Sequence, residues 1–307
     1  MSATEKVGQR FQGLDQWSTP DILEALWGGQ ARAVSACLAT LPALGRAVDD
    51  AAARVGGQGR LIYVGAGSSA VLAALDGLEL PGTFSFPLTR VELVLAGIGD
   101  LRLGFDGSVE DAGDAGADRI RALSPGPADI VIGVSASGRS AFTVGALDVA
   151  RAAGALTIGI ASNDGSPLLL AAEHSLFVDS GEEVIAGSTR LAAGTAQKLL
   201  LNLFSTALMV RLGGVYGNLM VNLQVNNVKL QARALDILRQ ITGADAGTAA
   251  QALSDCGGAL KPAALVLLRG LSPDAAQAAL SVAGDNLRRA LGDRKSTRLN
   301  SSHITIS

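Results

Sequence analysis

Cysteine, histidine and aromatic side chains are scarce in this chain of 307 residues, which has two Cys, two His and only 4% Phe, Trp and Tyr together. Cys37 and Cys256 lie in apolar, helix-like surroundings and read as small hydrophobes, so no disulfide framework is expected. With His174 and His303 as the whole histidine complement, and no paired Cys or His spacing, the chain offers no ligand cluster, and no metal is expected. The same shortage excludes a Ser-His-Asp arrangement, because His174 falls at a strand edge and His303 in the tail. Charge is thin as well: 17% Asp, Glu, Lys and Arg, a net charge of -3 and no basic stripe, which argues against a nucleic-acid partner. The start, Met1-Ser2-Ala3-Thr4-Glu5-Lys6, lacks the sections of a signal peptide, and no 18-residue apolar run is free of charge. A cytoplasmic protein without a membrane partner is the expectation.

Aliphatic and small residues fill the rest, and 48% hydrophobic content is enough for a substantial core. Ser18-Thr19-Pro20-Asp21 supplies a helix cap with proline in the first turn, and an N-terminal helical segment over 1–55 follows. Strand-like runs at 60–65, 91–96, 129–135, 155–161 and 175–179 then alternate with helical patterns. Their continuous aliphatic character is that of a parallel sheet buried on both faces. A long helix is expected from Leu191 to Leu212, its Lys198, Asn202 and Arg211 marking a buried helix rather than a membrane span. Residues 218–240 read as helical. The fold class is thus α/β, a three-layer α-β-α sandwich at 56–240, followed by a small helical module at 241–293 with breaks at Gly257-Gly258 and Ser272-Pro273. The polar, aperiodic stretch 294–307 reads as a disordered, non-native tail.

Two stretches of the α/β region repeat one design. Leu61-Ile62-Tyr63-Val64-Gly65-Ala66-Gly67-Ser68-Ser69-Ala70 and Ile130-Val131-Ile132-Gly133-Val134-Ser135-Ala136-Ser137-Gly138-Arg139-Ser140 each run from a strand through Gly and Ser into a helix. Glycine lets a ligand approach the backbone, and the first N–H groups of a helix have no internal partner and sit at its positive end. Each stretch is therefore an anion cradle, and a phosphorylated small molecule is the expected ligand. Gly65-x-Gly67-x-x-Ala70 also fits a dinucleotide fingerprint, yet Thr83-Phe84-Ser85-Phe86-Pro87 offers no carboxylate where a ribose would need one. No G-x-x-x-x-G-K-[ST] sequence is present for a triphosphate.

The duplicated cradle resembles sugar isomerase domains, and a longer segment is more specific. Gly181-Glu182-Glu183-Val184-Ile185-Ala186-Gly187-Ser188-Thr189-Arg190-Leu191-Ala192-Ala193-Gly194-Thr195-Ala196-Gln197-Lys198 resembles the signature of N-acetylmuramic acid 6-phosphate etherases and their regulatory relatives, including glucokinase regulatory proteins. Val215-Tyr216-Gly217-Asn218-Leu219-Met220-Val221 and Asn227-Val228-Lys229-Leu230 are similar to further segments of that family, and the likeness runs from about Gly59 to Gly243. The resemblance implies a homodimer that needs no cofactor. It implies a carbon-oxygen lyase of amino sugar catabolism and peptidoglycan recycling, which hydrolyses the lactyl ether of N-acetylmuramic acid 6-phosphate to N-acetylglucosamine 6-phosphate and D-lactate. Two other readings share the signature or the fold: a non-catalytic sugar-phosphate sensor and a phosphosugar aldose-ketose isomerase.

An ether is a poor target for water, but in the open-chain sugar the C2 proton is acidic beside the aldehyde and the lactyl group at C3 can leave by elimination. One group must take the C2 proton while another protonates lactate and then activates water, a division suited to two carboxylates. The resemblance places the first in Asp76-Gly77-Leu78-Glu79-Leu80-Pro81 and the second in Glu110-Asp111. It assigns Glu79 to lactate and water and Glu110 to C2. Gly67, Ser68, Ser69, Ser135, Ser137, Gly138, Arg139, Ser140, Ser188 and Thr189 are the phosphate candidates, with Asn227 reaching the sugar. Ser and Thr at helix starts are also ordinary caps, and Asn227 fits a cap equally well. Ala70-Val71, where most of the family has Gly-Arg, and Ala192, where it has Lys, depart from the pattern, so any change of specificity is expected at that edge.

Overall fold

A computed structural model describes residues 3–97, 107–223 and 227–292 of the chain. The tail expected at 294–307 lies outside the described residues.

Five strands, β1 (Leu61–Ala66), β2 (Val91–Ala96), β3 (Ile130–Val134), β4 (Leu156–Ala161) and β5 (His174–Phe177), form one sheet in the order β2-β1-β3-β4-β5. Every pairing in it is parallel. β1, β3 and β4 are buried along their whole length, which explains their unbroken aliphatic sequences. Before the sheet come α1 (Thr19–Ala36) and α2 (Leu41–Val55); Ser18 caps α1, accepting from the Asp21 N–H.

Alternate residues of the strands serve two layers. Ile62, Val64 and Val131 join a core with α4 (Gly113–Leu123), α5 (Ala141–Ala152) and α6 (Pro167–Ala171) through Ile120, Phe142, Leu147 and Leu168. On the opposite face Tyr63 meets α3 (Gly67–Phe84), and α2 lies against β3, β4 and β5. α7 (Ala192–Arg211) is the long helix expected from its apolar run, and it is joined to α3 through Asn202 and Ser205. Because β2 runs parallel to β1, α3 must carry the chain from the carboxyl edge of the sheet back to its amino edge.

Among the described residues a second compact unit comprises 82–85, 209–223 and 227–292. A two-residue hairpin, β6 (Val215–Tyr216) and β7 (Leu219–Met220), turns at Gly217-Asn218 and corrects the helical reading of that stretch; the helix α8 (Val228–Thr242) starts later. Gly-Asn between Val-Tyr and Leu-Met is a hairpin signal that outweighs the apolar periodicity around it. α9 (Ala246–Asp255), α10 (Leu260–Arg269), α11 (Pro273–Val282) and α12 (Leu287–Ala290) complete the unit, with breaks at Gly257-Gly258 and Ser272-Pro273. The division falls at Leu208 and not at 240, since Val221, Leu223, Ala234 and Leu238 share a core with Leu253, Leu265 and Leu280. Among the described residues no helix is long and apolar enough to cross a membrane.

Candidate active site

At the first cradle the chain passes from β1 into α3 without a loop. Gly67 opens the helix at φ +55, and a side chain on Gly65 would bring its Cβ to 3.0 Å from the Ala70 nitrogen. Both glycines are required by this junction. Ser68 is exposed, whereas Ser69 is buried and its hydroxyl donates to Oε1 of Gln197 on α7 at 3.1 Å. The Nε2 of that buried Gln197 has no hydrogen-bond partner. Ala70 is buried against the junction, so the departure from the family pattern at this position is also a packing choice.

The second cradle is a loop, Ser135 to Ser140, between β3 and α5. Ser135 Oγ accepts from the Gly138 N–H at 3.1 Å, and Ser137 Oγ accepts from the Arg139 N–H at 3.2 Å. Gly138 has φ +67, and a Cβ there would lie 2.1 Å from Ser166 Oγ, so the loop closes only with glycine. Ser140 holds the N-cap position of α5 but makes no cap bond. Its hydroxyl donates instead to the carbonyl of Glu110 at 3.4 Å and accepts from Thr143 at 3.1 Å. The amides at the start of α5 are thus not covered by the Ser140 side chain, as an anion site requires. The Arg139 side chain is exposed and enters no ion pair among the described residues.

Ser188 and Thr189 lie half-buried in the turn before α7. The cap of α7 comes from a residue that sequence reasoning quoted without singling out: buried Glu183 accepts from the N–H groups of Ala192 and Ala193 at 2.8 and 2.9 Å. Burial holds its carboxyl above the ordinary range, while those two N–H groups and the Arg32 charge pull the other way. Arg32 of α1 also donates to the carbonyls of Ser180 and Glu182, clamping the signature loop onto the N-terminal helices. Ala192, where the family pattern has Lys, is 1% exposed.

The two glutamates stand apart within one chain. Glu110 belongs to a short 3-10 turn, Gly107–Asp111, at the carboxyl edge of the sheet beside the second cradle. Burial and the neighbouring Asp111 charge both raise its carboxyl from the ordinary value. Glu79 lies ten residues beyond Ser69 on α3, about 15 Å along the axis at 1.5 Å per residue, toward the amino edge. Two residues before it, a Cβ on Gly77 would meet the Tyr63 ring of β1 and Val91, the first residue of β2, each at 3.1 Å. The Glu79 side chain is half-exposed and pairs with Lys198 Nζ at 3.5 Å. One turn earlier, Asp76 is 1% exposed and accepts from Tyr63, Ser205 and Asn202 at 2.9, 3.0 and 3.3 Å. Asp76, Gln197 and Lys198 were legible only as members of motifs; nothing in the sequence told which of them are partnered.

Asn227 belongs to the second unit, where its side chain accepts from the Leu230 N–H and caps α8. His174 opens β5, with Nε2 2.9 Å from Asp50. Asp50, Glu173 and His174 form a set of possible metal ligands among the described residues. They lie at the amino edge of the sheet, remote from both cradles, and Arg54 already pairs with Glu173 at 2.7 Å.

Residues 107–207 match the SIS domain family model. An N-acetylmuramic acid 6-phosphate etherase from Deinococcus radiodurans is 44% identical over 94% of this chain and 95% of its own length. One from Rubrobacter xylanophilus is 44% identical over 94% of this chain and 96% of its own. Among solved structures, a phosphoheptose isomerase from Francisella tularensis aligns with 63% of this chain and 100% of its own at 18% identity and TM-score 0.45. Near-full-length identity of this size makes the chain a member of the N-acetylmuramic acid 6-phosphate etherase family.

Proposed function

We propose that this chain hydrolyses the lactyl ether of N-acetylmuramic acid 6-phosphate, giving N-acetylglucosamine 6-phosphate and D-lactate, as a cytoplasmic homodimer. The observation that carries the reading is the near-full-length similarity to etherases, and the presence in this chain of both cradles and of Glu79 and Glu110 supports it. The amides and hydroxyls of Ser68, Ser69, Ser135, Ser137, Ser140, Ser188 and Thr189 are offered to the phosphate, with Arg139 as its cation.

With the sugar in its open-chain form, the Glu110 carboxylate takes the proton from C2. The electron pair so released forms the C2–C3 double bond as the C3–O bond breaks, and Glu79, protonated, gives its proton to the departing oxygen of lactate. Glu79, now a carboxylate, takes a proton from water, hydroxide adds at C3, and Glu110 returns a proton to C2. Atoms balance as ether plus water, and no cofactor is called on. The raised carboxyl of Glu110 supports its assignment, since a more basic carboxylate is the better general base.

The second copy has a chemical task in this reading. The phosphorus and C3 of the open-chain sugar are separated by five bonds, a reach of about 7 Å at single-bond lengths. Glu79 stands about 15 Å along α3 from the first cradle of its own chain, twice that reach, and this supports a site completed by the Glu79 of the other protomer. Labelled water tests the roles. The wild type releases D-lactate, takes label at O3 and exchanges the C2 proton; Glu79→Gln still exchanges C2 but releases no lactate, and Glu110→Gln loses both. No lactate from folded wild type rejects the reaction, and loss of C2 exchange in Glu79→Gln alone reverses the two roles.

A further inference from the structure

Lys198 is the cation paired with the acid that the proposed reaction uses. Its Nζ lies 3.5 Å from Glu79 Oε2, with the Lys198 side chain 30% and the Glu79 side chain 53% exposed. On the inner side Asp76 is closed off, its oxygens taken up by Tyr63, Asn202 and Ser205, and the Lys198 charge acts on it from outside that set. The Lys198–Glu79 pair, by contrast, is partly exposed and weakly held. The ion pair occupies the Glu79 oxygen on that side, yet the reaction needs Glu79 to meet the ether oxygen of lactate.

The substrate brings the missing partner. Its ether oxygen and its lactyl carboxylate are joined through a single carbon, so when the oxygen is within hydrogen-bond reach of Glu79 the carboxylate falls within reach of Lys198. We infer that Lys198 exchanges Glu79 for the lactyl carboxylate of the substrate, which makes it the residue that selects 3-O-ethers ending in an acid. Released from Lys198, the Glu79 carboxyl is free to meet the ether oxygen. This inference rests on the etherase reading above.

The test compares N-acetylmuramic acid 6-phosphate with the 3-O-ethyl ether of N-acetylglucosamine 6-phosphate, which lacks only the carboxylate. Losing one ion-paired hydrogen bond, Lys198→Met drops kcat/KM roughly 10- to 100-fold on the acid substrate and less than about threefold on the ethyl ether. Lys198→Arg keeps most of the wild-type preference, and together with Lys198→Gln it decides the matter where the Met variant does not fold. A merely structural role would lower both substrates alike, and that result overturns the inference. So does a wild type that cleaves both ethers equally well. A wild type that releases no lactate removes the etherase reading itself, whereas lactate release without discrimination in the variants removes only the role of Lys198.

Discussion

At Glu110 two influences push in one direction. Partial burial disfavours the charged form, and the adjacent Asp111 carboxylate does the same, so the carboxyl is raised from its ordinary 4.5. A general base must be ionised to work, so kcat/KM falls as pH drops through this raised value, and the acid limb of the profile lies above 4.5. Asp111→Asn removes one of the two influences and moves that limb to lower pH. A limb that does not move in a pH-rate profile of this variant belongs to another group. Asp129 shows the opposite balance: the Arg60 guanidinium at 2.7 Å and two backbone N–H groups hold its carboxyl below the ordinary 3.8 despite burial. Its stabilisation is complete above the unfolded value and is lost as pH falls through the lower, folded one. Asp129→Asn therefore costs about 1 to 3 kcal/mol at neutral pH, and the difference from wild type shrinks in denaturant titrations carried below pH 3.8.

The elements that matter most are the two strand-to-helix junctions, because each aims unpaired helix amides at one edge of the sheet. They are not built alike: β1 enters α3 directly, while β3 reaches α5 through a six-residue loop closed at Gly138. Gly138→Ala places an L-residue in the left-handed region, worth about 1 to 2 kcal/mol, and drives its Cβ into Ser166 as well. The expected outcome is a loss of at least about 2 kcal/mol in urea unfolding together with a raised KM. Ser166→Gly in the same chain relieves the collision but not the backbone cost, so stability returns only in part. A variant as stable as wild type would show that the loop has another way to close.

Across the whole molecule, parallel topology sets the distance between the two acids. A helix that links parallel neighbours must run the length of the sheet, so a residue late in α3 cannot stay near the cradle at its start. Mixing gives a direct measurement. Glu79→Gln and Glu110→Gln, each inactive alone, form mixed dimers when refolded together. Half of all dimers are then mixed and each carries one intact site, so about a quarter of wild-type activity returns. No recovery, with mixed dimers demonstrated by native mass spectrometry, would return both glutamates to a single protomer.

Much of this protein is written locally. The aliphatic runs of β1, β3 and β4 marked buried parallel strands, Ser18 and Pro20 marked the start of α1, and the Gly/Ser turns marked both cradles, because strand burial, capping and positive φ each depend on neighbouring residues in the chain. The hairpin at Gly217-Asn218 was equally legible in its turn residues, although the apolar residues around it also fitted a helix. What local sequence did not contain was partnership across distance. That Ser140 binds the Glu110 carbonyl, that Glu183 caps α7, and that Lys198 pairs with Glu79 follow from the packing of elements far apart in sequence. The sequence by itself determined which groups are available for the chemistry. Tertiary structure decided where they stand, because the direction of α3 across the sheet, and not the spacing of Glu79 and Glu110, sets the gap between them.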